Sequence, residues 1–205
     1  MKRFLKRVNR GIILGAFALI VLIIYLIVDY SNFSKEKSQI KTTLENYISG
    51  YYELMEKNDY DGLANHVNDT WTSKKVMNAS TFWYDSMENI LFVFEDVDNY
   101  PKMDDYGQIE HSIKKITVKK SGPNMAYATI KYSAEVEFGA YGEPIHPFGT
   151  YISYWYDPEQ IDENRYVFNI DYEAEVYLIK EDGQWRLSQS QGWETSYNQG
   201  LKEEE

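Results

Sequence analysis

The chain has no cysteine. That excludes disulfides, thiolate catalysis and cysteine-based zinc sites. Histidine is almost as scarce. His66, His111 and His146 are the three, none four residues from another and none within His-Glu-x-x-His, so a helical metal pair is not expected. Glycine and proline number 12 and 5. No glycine-rich stretch could cradle a phosphate, and no Gly-x-Ser-x-Gly elbow would carry a serine nucleophile. The acidic residues Asp157, Glu159, Asp162 and Glu163 do not follow the spacing of a calcium loop. No cofactor, no metal and no catalytic residue is expected on these grounds, and the chain is read as not an enzyme. An exported protein without cysteine fits a Gram-positive cell.

What the chain does have is charge, unevenly placed. Lys2, Arg3, Lys6, Arg7 and Arg10 precede residue 29 with no acid among them. The rest of the chain holds all 32 acidic residues against 16 basic ones, a net charge of −16. So acidic a region repels nucleic acid, which is therefore not an expected partner.

Between the two lies Gly11 to Val28, GIILGAFALIVLIIYLIV, an uncharged run. Eighteen helical residues at 1.5 Å each reach about 27 Å, enough to cross a hydrocarbon core. A helix satisfies its own backbone in lipid. The basic flank sets the N-terminus in the cytoplasm and the remainder outside, extracellular or periplasmic. A cleaved signal peptide is the rival reading. The run is longer than a usual h-region, and Ile27-Val28-Asp29-Tyr30-Ser31 offers no small-x-small cleavage site. The expected layout is a cytoplasmic tail over 1–10, a single transmembrane helix over 11–28, a juxtamembrane linker or continued helix over 29–38, a domain over 39–195 and an acidic tail over 196–205.

Within the domain, Ile40, Leu44, Ile48, Tyr51 and Met55 recur at helical spacing. Asn58-Asp59 ends that helix, and Tyr60 to Val67 reads as a short second one, with His66 facing solvent. Residues 68–79 read as loop and 80–97 as a longer third helix. From His111 the period falls to 2. Strands are expected over 112–120, over 126–138, over 148–156 and from Tyr166 to Lys180, with 157–164 a polar loop. Glu181-Asp182-Gly183-Gln184 is a hairpin turn carrying the Asp-Gly signal, and a last strand starts at Trp185. Helices gathered before an antiparallel meander indicate an α+β fold, with helices packed on one face of four or five strands.

Two segments carry a resemblance. Glu45 to Leu63, ENYISGYYELMEKNDYDGL, resembles the opening of the nuclear-transport-factor-2-like (cystatin-like cone) superfamily, and Val176 to Leu187, ending Gly183-Gln184-Trp185-Arg186-Leu187, resembles its closing hairpin. The resemblance implies a curved sheet wrapped round a helix as a cone with a pocket at its open end. The superfamily includes isomerases and cyclases beside many proteins that only bind or dimerise. In layout the chain also resembles the membrane-anchored assembly factors of type IV secretion and conjugation systems.

The nineteen tyrosines are the main compositional oddity. Large amphipathic rings suit a sheet that is part core and part contact surface. Tyr132 and Tyr172 fall on the inward phase of their strands, and Asp171 and Glu173 on the outward phase. Tyr151, Tyr154, Trp155 and Tyr156 cluster on one strand. His146, in Pro144-Ile145-His146-Pro147, is expected on a surface loop, where two prolines would fix it at the edge of a pocket. These seven rings are the expected ligand or partner contacts. The expected role is a membrane-anchored, extracytoplasmic binding or assembly module, a scaffold subunit of a membrane complex such as a conjugation or secretion channel. Its partners would be the bilayer through 11–28, other proteins of that complex and, as an open option, a second copy of the chain. The alternatives are a small-molecule binder or sensor with a tyrosine-lined pocket and an isomerase-like enzyme.

Overall fold

A computed structural model describes residues 10–76, 85–95, 106–139, 146–149 and 159–197. The chain divides into two compact units, Met1–Gln39 and Ile40–Glu205.

The first unit contains the start of helix α1, Arg10–Glu56. Nothing in 29–38 breaks this helix, so the segment continues it, as one of the two expected readings had it. From Ile12 to Val28 its large apolar side chains are all exposed. The helix is long and apolar enough to cross a membrane, and a signal sequence would pass the same test of length and composition. It is a candidate span.

The second unit takes over the same helix at Ile40. Here Ile40, Leu44, Tyr47, Ile48, Tyr51 and Met55 are buried along one stripe while Glu45, Asn46 and Ser49 stay exposed. Burying each Leu or Ile contributes roughly 1.5–3 kcal/mol. The helix stops because Asn58 turns left-handed at φ 53°. Its N–H and that of Asp59 then bond back to the Met55 and Leu54 carbonyls. The Asn58 amide also exchanges two hydrogen bonds with the Tyr106 backbone, tying the helix end to the first long strand.

Helix α2, Tyr60–Thr70, is capped by Asp59, whose carboxylate accepts from Gly62 N at 2.8 Å. Arg186 donates to the Asp69 carbonyl at the other end. Trp71 follows directly. It is buried and pairs with Leu187 in a parallel bridge, so the expected loop over 68–79 begins with a core residue. Helix α3 covers Met87–Glu95, shorter than the expected 80–97; a two-residue strand, β1 (Asp85–Ser86), precedes it, and the flanks lie outside the described residues.

The sheet comprises β1, β2 (Tyr106–Gly122), β3 (Met125–Gly139), β4 (Glu159–Asp162), β5 (Arg165–Glu181) and β6 (Gln184–Tyr197). Five strands run β1-β6-β5-β3-β2, all antiparallel, and β4 pairs alongside β5. This is the expected α+β arrangement of helices with a curved antiparallel sheet. β4 falls in what reads as a polar loop. The β5–β6 turn forms as the Asp-Gly pair dictates, with Asp182 and Gly183 at φ 49° and 83°. Irregular registers in β2 and β6 bend the sheet. The inward phase of β3 and β5 (Ala128, Ile130, Tyr132, Ala174, Val176) is buried. The outward phase carries cross-strand pairs such as Lys131–Glu173 and Tyr127–Tyr177. On this face burial and nearby Glu175 push the Tyr127 phenol up to about 12.

β2 has no strand on its far side among the described residues. It carries Lys114, Lys115, Lys119 and Lys120, and its pairing with β3 shifts register three times.

Candidate functional site

The rings gather where α1 crosses the inward face of the sheet. Tyr47, Tyr51 and Tyr52 come from the helix, because positions 47, 48, 51 and 52 continue its buried stripe. Tyr132 and Tyr172 come from β3 and β5, where they are register partners. The rings of Tyr132 and Tyr172 lie 5.2 Å apart, and Tyr52 meets Tyr132 at 6.4 Å. All five tyrosines are buried. Burial makes ionisation of Tyr47, Tyr51, Tyr52 and Tyr132 harder, so these phenols stay protonated donors.

The segment His146–Gly149 enters this group. His146 is only 2% exposed and its ring stacks on Tyr172 at 4.2 Å and 14°. The expectation of a surface-loop histidine is corrected: Tyr172 supplies an aromatic face, and the segment turns inward. Burial pulls the imidazole down to about 3, so it is neutral at physiological pH. Phe148, expected to open a strand, instead sits in a tight turn closed by a His146–Gly149 bridge, its ring 5.4 Å from Tyr47 and 6.2 Å from Tyr132. Two buried hydroxyls hold the turn. Tyr47 donates to the Pro147 carbonyl at 2.6 Å, and Ser190 to the Phe148 carbonyl at 2.7 Å.

Three of the seven expected contact residues, Tyr132, His146 and Tyr172, are therefore neighbours. Tyr151, Tyr154, Trp155 and Tyr156 lie outside the described residues. Sequence reasoning missed Tyr47, Phe148, Ser190 and Trp71 as members. Tyr47 could have been found, being three residues from Leu44 on the same stripe; Ser190 carried no signal. Gly192 was also missed. A Cβ there would run into the Tyr172 ring, so the glycine makes the room Tyr172 occupies.

The other two histidines flank α1. His66, expected in solvent, stacks on Tyr47 at 5.4 Å with Nε2 3.0 Å from the Tyr47 carbonyl. A carbonyl only accepts, so Nε2 carries the proton. His111 Nε2 lies 3.2 Å from Ser49 Oγ, and burial lowers the affinity of this imidazole for a proton. Among the described residues no Asp, Glu, Lys or Arg is buried, and no three acidic or histidine side chains gather as metal ligands. The interior can stack rings and donate hydrogen bonds from phenols.

No protein-family model and no curated protein matches this chain. Among solved structures it is similar to a candidate scytalone dehydratase from Novosphingobium aromaticivorans, at 12% identity over 82% of this chain and 89% of that one, with a TM-score of 0.49. It is similar to the hexachlorocyclohexane dehydrochlorinase LinA type 2 at 11% identity over 80% and 90%, TM-score 0.48. A protein with a cystatin-like fold from Caulobacter vibrioides gives 10% over 76% and 89%, TM-score 0.42. The reading of this chain as not an enzyme is corrected by these matches. Two of the three are named for enzymes, so the lack of a sequence motif does not exclude catalysis. Likenesses at this level assign no activity to this chain.

Proposed function

We propose that this chain is a membrane-anchored binding or assembly module. Residues 11–28 hold it in the bilayer, the N-terminus lies in the cytoplasm, and the α+β domain works outside as a scaffold subunit of a membrane complex such as a conjugation or secretion channel. One observation carries the reading. Among the described residues, the large apolar side chains left exposed run from Ile12 to Tyr30, with Ile161 alone beyond them. The domain buries its own apolar surface, while the segment before it leaves such surface bare on every side, a pattern that suits a helix solvated by lipid. The positive flank sets the orientation. The unbroken helix into Ile40 supports a tether that is retained.

The test joins topology to partnership. A reporter fused after residue 205 should be active only outside the cytoplasm. Photocrosslinkers at exposed domain positions such as Lys119 should capture other membrane proteins in the intact cell. A cytosolic reporter, or a domain released from the membrane by cleavage near residue 28, overturns the anchoring. Crosslinking that captures no membrane protein, with transfer and secretion intact after deletion, overturns the scaffold role.

A further inference from the structure

We propose that residues 115–120 of β2 are a docking edge for an extended acidic segment of another protein, which joins the sheet as a further strand. The proposal goes beyond the anchored scaffold reading, and its test stands whether or not that reading holds.

β2 pairs with β3 along one side and has no strand on the other among the described residues. Its register shifts leave one even stretch between them. From Lys115↔Lys131 to Lys120↔Ala126 the pairing runs through six consecutive residues without a slip. That is about the length of an ordinary strand. Alternate residues of a strand turn both backbone groups to the same side, so about half of this stretch directs N–H and C=O away from β3. An incoming strand can take up such groups. The sequence there, KITVKK, holds three β-branched residues in a row, which favour extended backbone.

Charge selects the occupant. Between His111 and Gly122 there are four lysines and no acid, although acids outnumber bases two to one after residue 28. Two lysines near this rim are already neutralised, Lys131 by Glu173 at 2.7 Å and Lys114 by Asp171. Lys115 and Lys119 are exposed and have no ion-pair partner among the described residues. They share the outward phase of the strand, with Thr117 between them. Edge lysines also keep sheets from pairing indiscriminately. Here that barrier is selective. It repels a second β2 rim and attracts a strand bearing two acids four positions apart.

Peptide binding and hydrogen exchange test this on the full chain in phosphatidylcholine nanodiscs. The probe is a short peptide alternating Thr and Val, with Glu replacing two Thr four positions apart. One control carries Lys in place of both Glu. Two others keep the Glu and methylate one or the other alternate set of backbone nitrogens. The Glu peptide should bind the unaltered protein and slow exchange of the amides in 115–120. The Lys peptide should bind at least about tenfold more weakly. One of the two methylated peptides should lose as much, because it keeps the charge but not the backbone bonds. Lys115→Glu combined with Lys119→Glu should reverse the preference between the Glu and Lys peptides. No binding of the Glu peptide at millimolar concentration overturns the proposal, as does undiminished binding of both methylated peptides. Displacement of the Glu peptide by phosphatidylglycerol vesicles of equal charge overturns it in favour of a lipid headgroup contact. Exchange in 115–120 as slow as in β3 and β5 before any peptide is added also overturns it, because the edge is then already covered.

Discussion

Helix α1 meets two different surroundings along one unbroken backbone. From Ile12 to Val28 it is apolar all round and every large side chain is exposed. From Ile40 to Met55 it is apolar on one stripe, and that stripe is buried. The backbone geometry is common to both. What differs is periodicity: uniform apolarity leaves no preferred face and suits lipid, whereas a 3.6-residue stripe selects one side for a protein core. Apolar content alone would have merged the two halves.

The largest expected effect breaks that comparison directly. Ile48→Asp sets an unpaired carboxylate in the core and should cost more than about 4 kcal/mol, enough to abolish a cooperative denaturation transition. Leu22→Asp should leave that transition where it was, but deplete the chain from carbonate-washed membranes, since an acid at the centre of a span costs about 3 kcal/mol. Equal loss of domain stability in both variants would erase the distinction.

Gly192→Ala probes the packed half more gently. Its methyl group meets the ring of Tyr172, which is buried and cannot retreat, so overpacking should cost up to about 3 kcal/mol in chemical denaturation. Replacing Tyr172 by Leu in the same chain should recover part of the loss.

Acid should act on the packed half alone. His146 is held neutral in the fold, its pKa lowered to about 3 by burial, whereas the unfolded chain protonates it near the ordinary value of about 6.5. Between those values the unfolded state binds the extra proton. Stability is therefore complete above about pH 6.5 and falls as pH drops, by about 2 kcal/mol at pH 5. His111, lowered in the same direction, adds to the fall. Denaturation midpoints at pH 7.5 and 5 should converge in His146→Phe, leaving the smaller part due to His111.

The smallest effect concerns the start of helix α2. Asp59→Ala removes the cap on Gly62 N and should cost about 1 kcal/mol, read as a modest shift in midpoint.

The sequence displays the fold wherever one period governs a long segment. Ile40 to Met55 repeats at the helical period, and Ala126 to Phe138 and Tyr166 to Leu178 alternate, because each faces core on one side only, and Asp182-Gly183 is a turn by local chemistry. Elements owed to tertiary context are illegible. β4 pairs through three residues, Glu159, Gln160 and Asp162, and has no apolar stripe, and Trp71 enters the core through a single bridge to Leu187. The site follows the same division. Tyr132 and Tyr172 were readable from their strand phase. His146 was not: two prolines around a histidine look like surface, and only the Tyr172 ring and the hydroxyls of Tyr47 and Ser190, all distant in the chain, make an interior place for it.

The outlying strand β2 sets how copies of this molecule behave in company. Its outer rim, without a neighbouring strand among the described residues, bears Lys115 and Lys119 exposed to solvent, and its three register slips keep the rim from lying straight. A second such rim brought alongside would meet like charge and mismatched spacing, which disfavours joining two sheets edge to edge.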